Sequence, residues 1–404
     1  MLVVFLTIIS IATSVQAVAF RLPVNTFEIP GSYLKHSLAA LERRDQHPII
    51  HSAPQHDSPH KLPLKDFSQI WTSTYVTNVT LGTPPQPFRV AIDIQGNNLF
   101  VPSIVCTKIS CEDHAKYNSS ASSTYVANNT RIWANYYGME MNGHVSQDTL
   151  NVAGLSIENY LFAEAKDVYP ISYLADYDGF DGSLGLAPSS ALSVLGMPNP
   201  FNMMMEQGIL DENLFALKLP RGVLWAEEED GELAFGEIPK ALPEAELTRI
   251  PLLNDTESPL NGYWTSEIRS LFMGDGSTVY APLDNFTAIF SSAFPIIGLP
   301  RDLAIGLTLE IGARRWGWLY TVPCDRRKDL KDLSFDLAGN NFTITPWEYL
   351  LEVEAPNGTH YCISTFWPYS DLGENTVVLG TAFLKRFWSV WDWDRWEVGF
   401  ATLK

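Results

Sequence analysis

Two segments nearly two hundred residues apart share an outline but differ in the side chain that could do chemistry. VAIDIQGNNLFVPS (Val90–Ser103) carries Asp93 at the head of a turn, and TAIFSSAFPIIGLP (Thr287–Pro300) carries Ser291 at the same place. In each, the turn follows a short apolar run typical of a buried strand. A carboxyl at such a turn can act as a general acid or base. A serine hydroxyl carries no charge and has no acidic proton to donate in an acidic medium.

The spacing of later motifs indicates that the whole unit is duplicated. The run AID, ending at Asp93, precedes Leu184-Gly185 (DGSLGLA) by about ninety residues, and AIFS, ending at Ser291, precedes Leu379-Gly380 (VVLGTAFL) by nearly the same interval. A chain of 404 residues is also long for one core. We expect an N-terminal lobe over residues 62–245 and a C-terminal lobe over residues 246–404.

The elements expected to position these turns are strands. From Trp71 onward the chain consists of short β-branched or aromatic runs, such as FRVAIDI and WEVGFA, separated by Gly, Pro and Asn. Helical patterns are few, and the best cover Pro200–Gln207, with Asn199 as a cap, and Pro300 to about Gly312. The pattern predicts an all-β protein with small helices.

The N-terminal residues indicate passage through the secretory pathway. Residues 1–19 are apolar and end in a small-residue A-x-A-like site, which is typical of a signal peptide. Residues 20–61 hold five of the eight His and the dibasic Arg43-Arg44. We interpret this segment as a propeptide, with a disordered linker as the alternative. Irregular His spacing without Cys argues against a metal site there.

Charge, cysteines and sequons are consistent with a secreted protein. A net charge of −19 argues against nucleic acid and anionic membranes as partners, and the absence of a second long apolar run predicts no membrane anchor. Four Cys allow three pairings, and an oxidising compartment favours disulfides; proximity in the chain favours Cys106–Cys111 and Cys324–Cys362. The N-x-[ST] sequons begin at Asn78, Asn118, Asn128, Asn254, Asn285, Asn341 and Asn357.

Four motifs and the two cysteine pairs carry a family resemblance. The motifs are LGTPPQPFRVAID, NLFVPS, FDGSLGLA and VVLGTAFLKRFWSVWDWDRWEVGFA. In this order they resemble the pepsin-family aspartic proteases, in the style of secreted fungal members, over nearly all of residues 70–404. The resemblance implies a bilobal acid-protease fold with two β-barrel-like lobes, a cleft that takes a peptide or protein ligand, a monomer and no cofactor.

Catalysis in that family requires two carboxylates, one in each of two D-T-G turns, that share one proton. The first turn here keeps Asp93 as the acid. The second turn carries Ser291 at the position of the other acid. Neither Asp284, expected before the strand, nor Asp302, expected to open the next helix, is placed to substitute. The other positions of the turns also differ from the family's pattern. In the first turn, Ile94 replaces Thr, Gln95 replaces Gly and Gly96 replaces Ser. In the second turn, Ser292 replaces Thr and Ala293 replaces Gly.

The hairpin expected to cover the cleft is also altered. NYYGMEMNGHVSQDTL keeps Tyr137-Gly138, but Met139, Glu140 and Met141 replace the small, flexible core of the family's flap. We expect Tyr137 still to close over a ligand, beneath a bulkier tip.

Two functions remain open. The first is a catalytically impaired or inactive pseudoprotease with a peptide-binding cleft, which the loss of the second Asp favours. The second is an active aspartic-type endopeptidase that works at acidic pH. A serine-protease mechanism is not supported, because no pattern places His114, His144 or His360 beside Ser291.

Overall fold

The computed structural model describes residues 60–66, 74–136, 139–170, 180–188, 196–220, 231–254, 258–274, 276, 278–317, 319–354 and 360–403. The predicted signal peptide and all but the end of the predicted propeptide lie outside these residues. Within them, no helix is both long and apolar enough to span a bilayer.

Most of the described chain is β-strand, as the sequence predicts. The strands are β1 Lys61–Asp66, β2 Tyr75–Leu81, β3 Gln86–Asp93, β4 Phe100–Pro102, β5 Val126–Tyr136, β6 Met139–Val152, β7 Leu155–Pro170, β8 Gly182–Gly185, β9 Leu214–Lys218, β10 Gly231–Phe235, β11 Thr248–Pro251, β12 Thr265–Met273, β13 Val279–Phe290, β14 Ile297–Leu299, β15 Arg314–Trp316, β16 Leu319–Val322, β17 Leu333–Leu337, β18 Asn340–Ile344, β19 Leu350–Glu354, β20 His360–Ser364, β21 Phe366–Pro368, β22 Thr376–Leu379, β23 Phe387–Asp392 and β24 Glu397–Thr402.

The strands form two lobes that share one sheet. A 13-stranded sheet runs in the order β11-β24-β23-β9-β10-β1-β2-β3-β8-β4-β7-β6-β5. Its first six strands interleave both halves of the chain, because β23, β24 and β11 lie beside β9, β10 and β1. The C-terminal half adds a seven-stranded sheet, β18-β17-β12-β13-β22-β14-β21, and a four-stranded sheet, β15-β16-β20-β19. The all-β bilobal fold is thereby confirmed.

Aromatic side chains pack the junction between the lobes. Trp264 and Trp391 are almost fully buried, with ring centroids 5.2 Å apart. Phe215 from the N-terminal half stacks on Trp391 at 6.0 Å, and Phe290 contacts Trp391 edge-on at 5.5 Å. Such pairs contribute about 0.5–1.5 kcal/mol each beyond their buried area. The strand that ends at Phe290 is thus anchored in the junction.

Both predicted helices are present. Helix α1 spans Pro200–Glu206, and its cap Asn199 accepts a hydrogen bond from the backbone N–H of Asn202. Helix α2 spans Arg301–Glu310. Two single-turn helices were not predicted, α3 Pro346–Tyr349 and α4 Thr381–Leu384, because four residues are too few to show a helical period.

Strand β1 was also missed, since its residues follow a stretch without apolar periodicity. Its backbone pairs with β10 through Lys61↔Ala234 and with β2 through Lys65↔Val76. Neighbours on both sides fix this strand through main-chain hydrogen bonds, which leave little trace in a side-chain pattern.

The cysteine pairs form the expected disulfides, Cys106–Cys111 and Cys324–Cys362. Each closes a loop within one lobe.

Candidate active site

Equivalent strand pairs position the two turns. Strand β3 ends at Asp93 and runs parallel to β8, with Asp93 opposite Gly185. Strand β13 ends at Phe290 and runs parallel to β22, with Phe290 opposite Leu379. Ser291 follows directly, and its backbone N–H donates to the carbonyl of Leu379. The two turns therefore leave their sheets in the same way.

A glycine lets the backbone after each turn pass close to the neighbouring strand. A Cβ on Gly185 would lie 2.5 Å from the carbonyl oxygen of Gly96, and a Cβ on Gly380 would lie 2.3 Å from the carbonyl oxygen of Phe294. Real Cβ contacts are not this short, so only glycine fits at either position.

One hydroxyl joins the two turns. The Ser292 Oγ accepts a hydrogen bond from the backbone N–H of Ile94 at 3.0 Å and donates to the carbonyl of Ile92 at 3.0 Å. Ser292 is fully buried. The return brace from the first turn is absent because Ile94 carries no hydroxyl, and its side chain is buried in the core instead.

Asp93 is the only carboxyl group in the two turns. It is 1% exposed, and its Oδ1 accepts a hydrogen bond from the backbone N–H of Gln95 at 2.8 Å.

Ser291 is tied to the opposite turn. Its Oγ donates to the Gln95 Oε1 at 2.6 Å and accepts weakly from the backbone N–H of Ala293 at 3.3 Å. Gln95 also hydrogen-bonds the hydroxyl of Tyr263. Burial raises the pKa of Tyr263 above its usual value, the Asp93 charge adds to the rise, and the bond with Gln95 opposes it. Three uncharged side chains, those of Ser291, Gln95 and Tyr263, are thus joined by hydrogen bonds beside Asp93.

The two acids considered as substitutes lie elsewhere. Asp284 lies within β13 and is exposed, which corrects the expectation that it precedes the strand. Strand β13 extends further toward the N-terminus than its apolar end suggested. Asp302 lies in the first turn of α2 and is exposed.

The flap is a long hairpin of β5 and β6. Tyr137 and Gly138 lie outside the described residues. Met139 pairs through its backbone with Tyr136, the Glu140 carboxylate accepts from the Trp133 indole N–H at 2.6 Å, and Met141 is buried. These contacts tie the substituted residues into the hairpin.

The histidines have other surroundings. His114 lies 3.4 Å from the Asp181 carboxylate, and His360 lies 2.9 Å from that of Glu352. His144 lies on β6, where burial lowers its pKa. Their contacts do not form a triad with Ser291.

The described sequon residues are at least partly accessible. Asn78 and Asn118 are half-buried, whereas Asn128, Asn254, Asn285 and Asn341 are exposed. Asn357 lies outside the described residues.

Comparison with known proteins identifies the family. A family model described as eukaryotic aspartyl protease matches residues 74–403. The chain is 39% identical over 333 residues to vacuolar protease A of Aspergillus fumigatus, which covers 82% of this chain and 79% of that protein. It is 35% identical over 356 residues to the vacuolar aspartic protease of Candida albicans, covering 87% and 80%, and 35% identical over 344 residues to cathepsin D of Dictyostelium discoideum, covering 84% and 85%. The chain belongs to the eukaryotic aspartyl protease family.

Sequence reasoning found the turns but not the contacts between them. The sequence marks Gln95 only as a replacement for the family's glycine, and no sequence motif points to Tyr263. The one available signal is the run GYW, an aromatic pair directly before β12, and it does not show which ring faces the turns.

Proposed function

We propose that this chain is a pepsin-family protein whose cleft binds a peptide or protein segment without cleaving it efficiently. One observation carries the proposal. At the position of the second catalytic acid, the Ser291 hydroxyl donates a hydrogen bond to the Gln95 Oε1 of the opposite turn at 2.6 Å.

The chemistry of the family explains why this bond matters. One carboxylate takes a proton from the attacking water while a protonated partner donates to the scissile carbonyl. Asp93 can accept a proton from water. Ser291 is a very weak acid, and its hydrogen is already directed at Gln95, so the second half of the reaction lacks its donor.

The Gln95 side chain also occupies part of the reaction site. It extends between Ser291 and Tyr263, at a position where the family has a glycine. A water and a scissile carbonyl would have to share this space. Displacing Gln95 would leave its polar atoms and those of Ser291 to find new partners, which is costly in a buried site.

The architecture that supports peptide binding is retained. The Ser292 brace holds the turns together, the glycines keep their close approach, and the β5–β6 hairpin is present. The cleft can therefore hold an extended segment even where the chemistry is weakened.

We further propose that the protein lies in the lumen of the secretory pathway, in the vacuole or outside the cell. The apolar residues 1–19, two disulfides and several accessible sequons support this, as do relatives named vacuolar proteases. Residues 20–61 would be a propeptide.

An active acid endopeptidase is the second candidate. Its support is the set of relatives named proteases at 34–39% identity and the preserved Ser292 brace. In that case Asp93 would activate water, and another donor would serve the carbonyl.

One assay separates the two functions. The purified protein is incubated with a denatured protein substrate between about pH 2.5 and 6, where a carboxyl dyad works, with and without a statine-type inhibitor. The proposal expects no inhibitor-sensitive cleavage above that of the Asp93→Asn variant. Inhibitor-sensitive cleavage that Asp93→Asn abolishes would establish the endopeptidase instead.

A further inference from the structure

A large cavity opens between α1 and the C-terminal half of the chain, and Tyr263 is one of the residues that line it. It is open to solvent, has a volume of about 1240 Å³ and extends from Tyr263 past Trp393 and Trp396 to Leu253 and Asn254. Its size exceeds what one side chain or a few waters would fill. It is large enough to hold a bulky ligand.

The walls combine aromatic and polar groups. The rings of Trp393 and Trp396 meet edge-to-face with centroids 5.2 Å apart, and the Trp396 indole N–H donates to the carbonyl of Leu253. Leu253 is 41% exposed. The polar groups around these rings are Asn202, Glu206, Asn213 and Asp394. Aromatic faces carry partial negative charge and attract C–H groups, while amides and carboxylates bond hydroxyls. This mixture suits a sugar.

Asn254 places a glycosylation sequon at the edge of this cavity. It is exposed, it lines the cavity, and it begins the sequon Asn254-Asp255-Thr256. We propose that Asn254 is N-glycosylated and that the first sugars of its glycan lie in the cavity against Trp393 and Trp396. This rests on the secretory-lumen location proposed above.

The covalent step is ordinary glycan transfer. The Asn254 Nδ2 forms a bond to the anomeric carbon of a lipid-diphosphate-linked oligosaccharide. The bond from that carbon to the diphosphate oxygen breaks, and the amide gives up one proton.

Asn341 provides the internal comparison. It is exposed on β18, an edge strand of the seven-stranded sheet, and is not among the residues that line the cavity. A glycan there would extend into solvent. The two sites should therefore differ in how accessible the bond between asparagine and the first sugar is.

The test uses the full chain secreted from a eukaryotic host. Peptide-N-glycosidase is added to the native protein, and mass spectrometry follows the conversion of each glycosylated Asn to Asp. We expect release at Asn254 to be about tenfold slower than at Asn341, as two aromatic contacts would produce, and the two rates to become equal after unfolding.

Trp396→Asn is the matched variant. Trp396 has a φ of 53°, a left-handed conformation that Asn tolerates better than most residues. Removing the indole should bring the native release rate at Asn254 up to that at Asn341. The measurement on the unchanged chain stands if this variant fails to fold.

The outcomes distinguish the two proposals. An unmodified Asn254 beside a glycosylated Asn341, or equal native rates at both, would overturn the cavity assignment and leave the location intact. If Trp396→Asn then weakened the binding of a peptide in the cleft, the cavity would be part of the peptide-binding site instead. A chain with no sugar at any sequon would overturn both.

Discussion

The two turns have the same backbone pairing, but each differs from the D-T-G pattern at a different side chain. The first turn keeps its acid, Asp93, and has lost the hydroxyl that would brace its partner, since Ile94 stands there. The second turn has lost its acid, at Ser291, and keeps the brace through Ser292. In both, the same parallel pairing and the same close approach over glycine survive.

This difference separates the groups that hold the turns in place, here called the frame, from the groups that could carry out catalysis. The frame consists of the strand register, of Gly185 and Gly380, and of the buried Ser292 hydroxyl. The catalytic group depends on a single side chain at the tip of each turn, which can change without disturbing the frame. Under the proposed function, this is how a cleft of the family's shape is kept without the family's reaction.

The largest expected effect comes from restoring the family's residues at three positions of the two turns. Ser291→Asp alone should restore little peptide hydrolysis, because Gln95 still occupies the space between the turns. Adding Gln95→Gly and Ala293→Gly should raise kcat/KM in acid by at least about 100-fold over Ser291→Asp, the scale of general acid–base catalysis.

The control is the same triple variant with Asp93→Asn, which should return to background. Equal activity of the single and triple variants would show that Gln95 does not obstruct the site.

The disulfides give a second contrast between the lobes. Cys324–Cys362 spans 38 residues and Cys106–Cys111 spans 5. In the chain-entropy account, replacing both cysteines by Ser should lower the free energy of unfolding by about 4 kcal/mol for the long loop and about 2 kcal/mol for the short one. Urea denaturation of the two double variants measures this. A larger loss of unfolding free energy for the Cys106–Cys111 variant would mean that this disulfide stabilises the protein through packing and not through loop closure.

Removing the surviving brace tests whether the frame depends on it. Ser292→Ala leaves the buried N–H of Ile94 without its acceptor, which should cost about 1–3 kcal/mol of unfolding free energy. Ser292→Thr keeps the hydroxyl and is the matched control, expected to change stability little. Equal losses in both variants would indicate steric disturbance rather than the hydrogen bond.

The sequence predicted the frame better than the contacts across it. The spacing of Gly185 and Gly380 behind their turns follows from parallel pairing, and the Asn199 cap is local. By contrast, Ser291 reaches Gln95 across 196 residues and Ser292 reaches Ile94 across 198. Such contacts exist only once both lobes are assembled, and no local pattern encodes them.

The smallest expected effect is the pH dependence that one buried carboxyl of the first lobe contributes. Asp181, four residues before Gly185, is 1% exposed and accepts hydrogen bonds from the backbone N–H groups of Arg89 and Ala115. Four residues before Gly380 the second lobe has Thr376, whose hydroxyl donates to the carbonyl of Gly373 and does not titrate in this range.

Burial acts to raise the pKa of Asp181, but hydrogen bonds from His114, Arg89 and Ala115 outweigh it, so the pKa lies below its usual value. The folded state therefore holds the ionised form more strongly than the unfolded chain does. The resulting stability is present above the unfolded value of about 3.9 and is lost as pH falls through the folded pKa. Because burial cancels part of the gain, the effect should be modest.

Asp181→Asn removes the charge and keeps the shape. We expect the difference in unfolding free energy between the original chain and Asp181→Asn to shrink as the pH is lowered below about 4. Thr376→Val, measured by the same urea titrations, should show a difference independent of pH. A constant difference for Asp181→Asn down to the lowest pH would mean that this carboxyl titrates alike in the folded and unfolded states, and it would then add nothing to the contrast between the lobes.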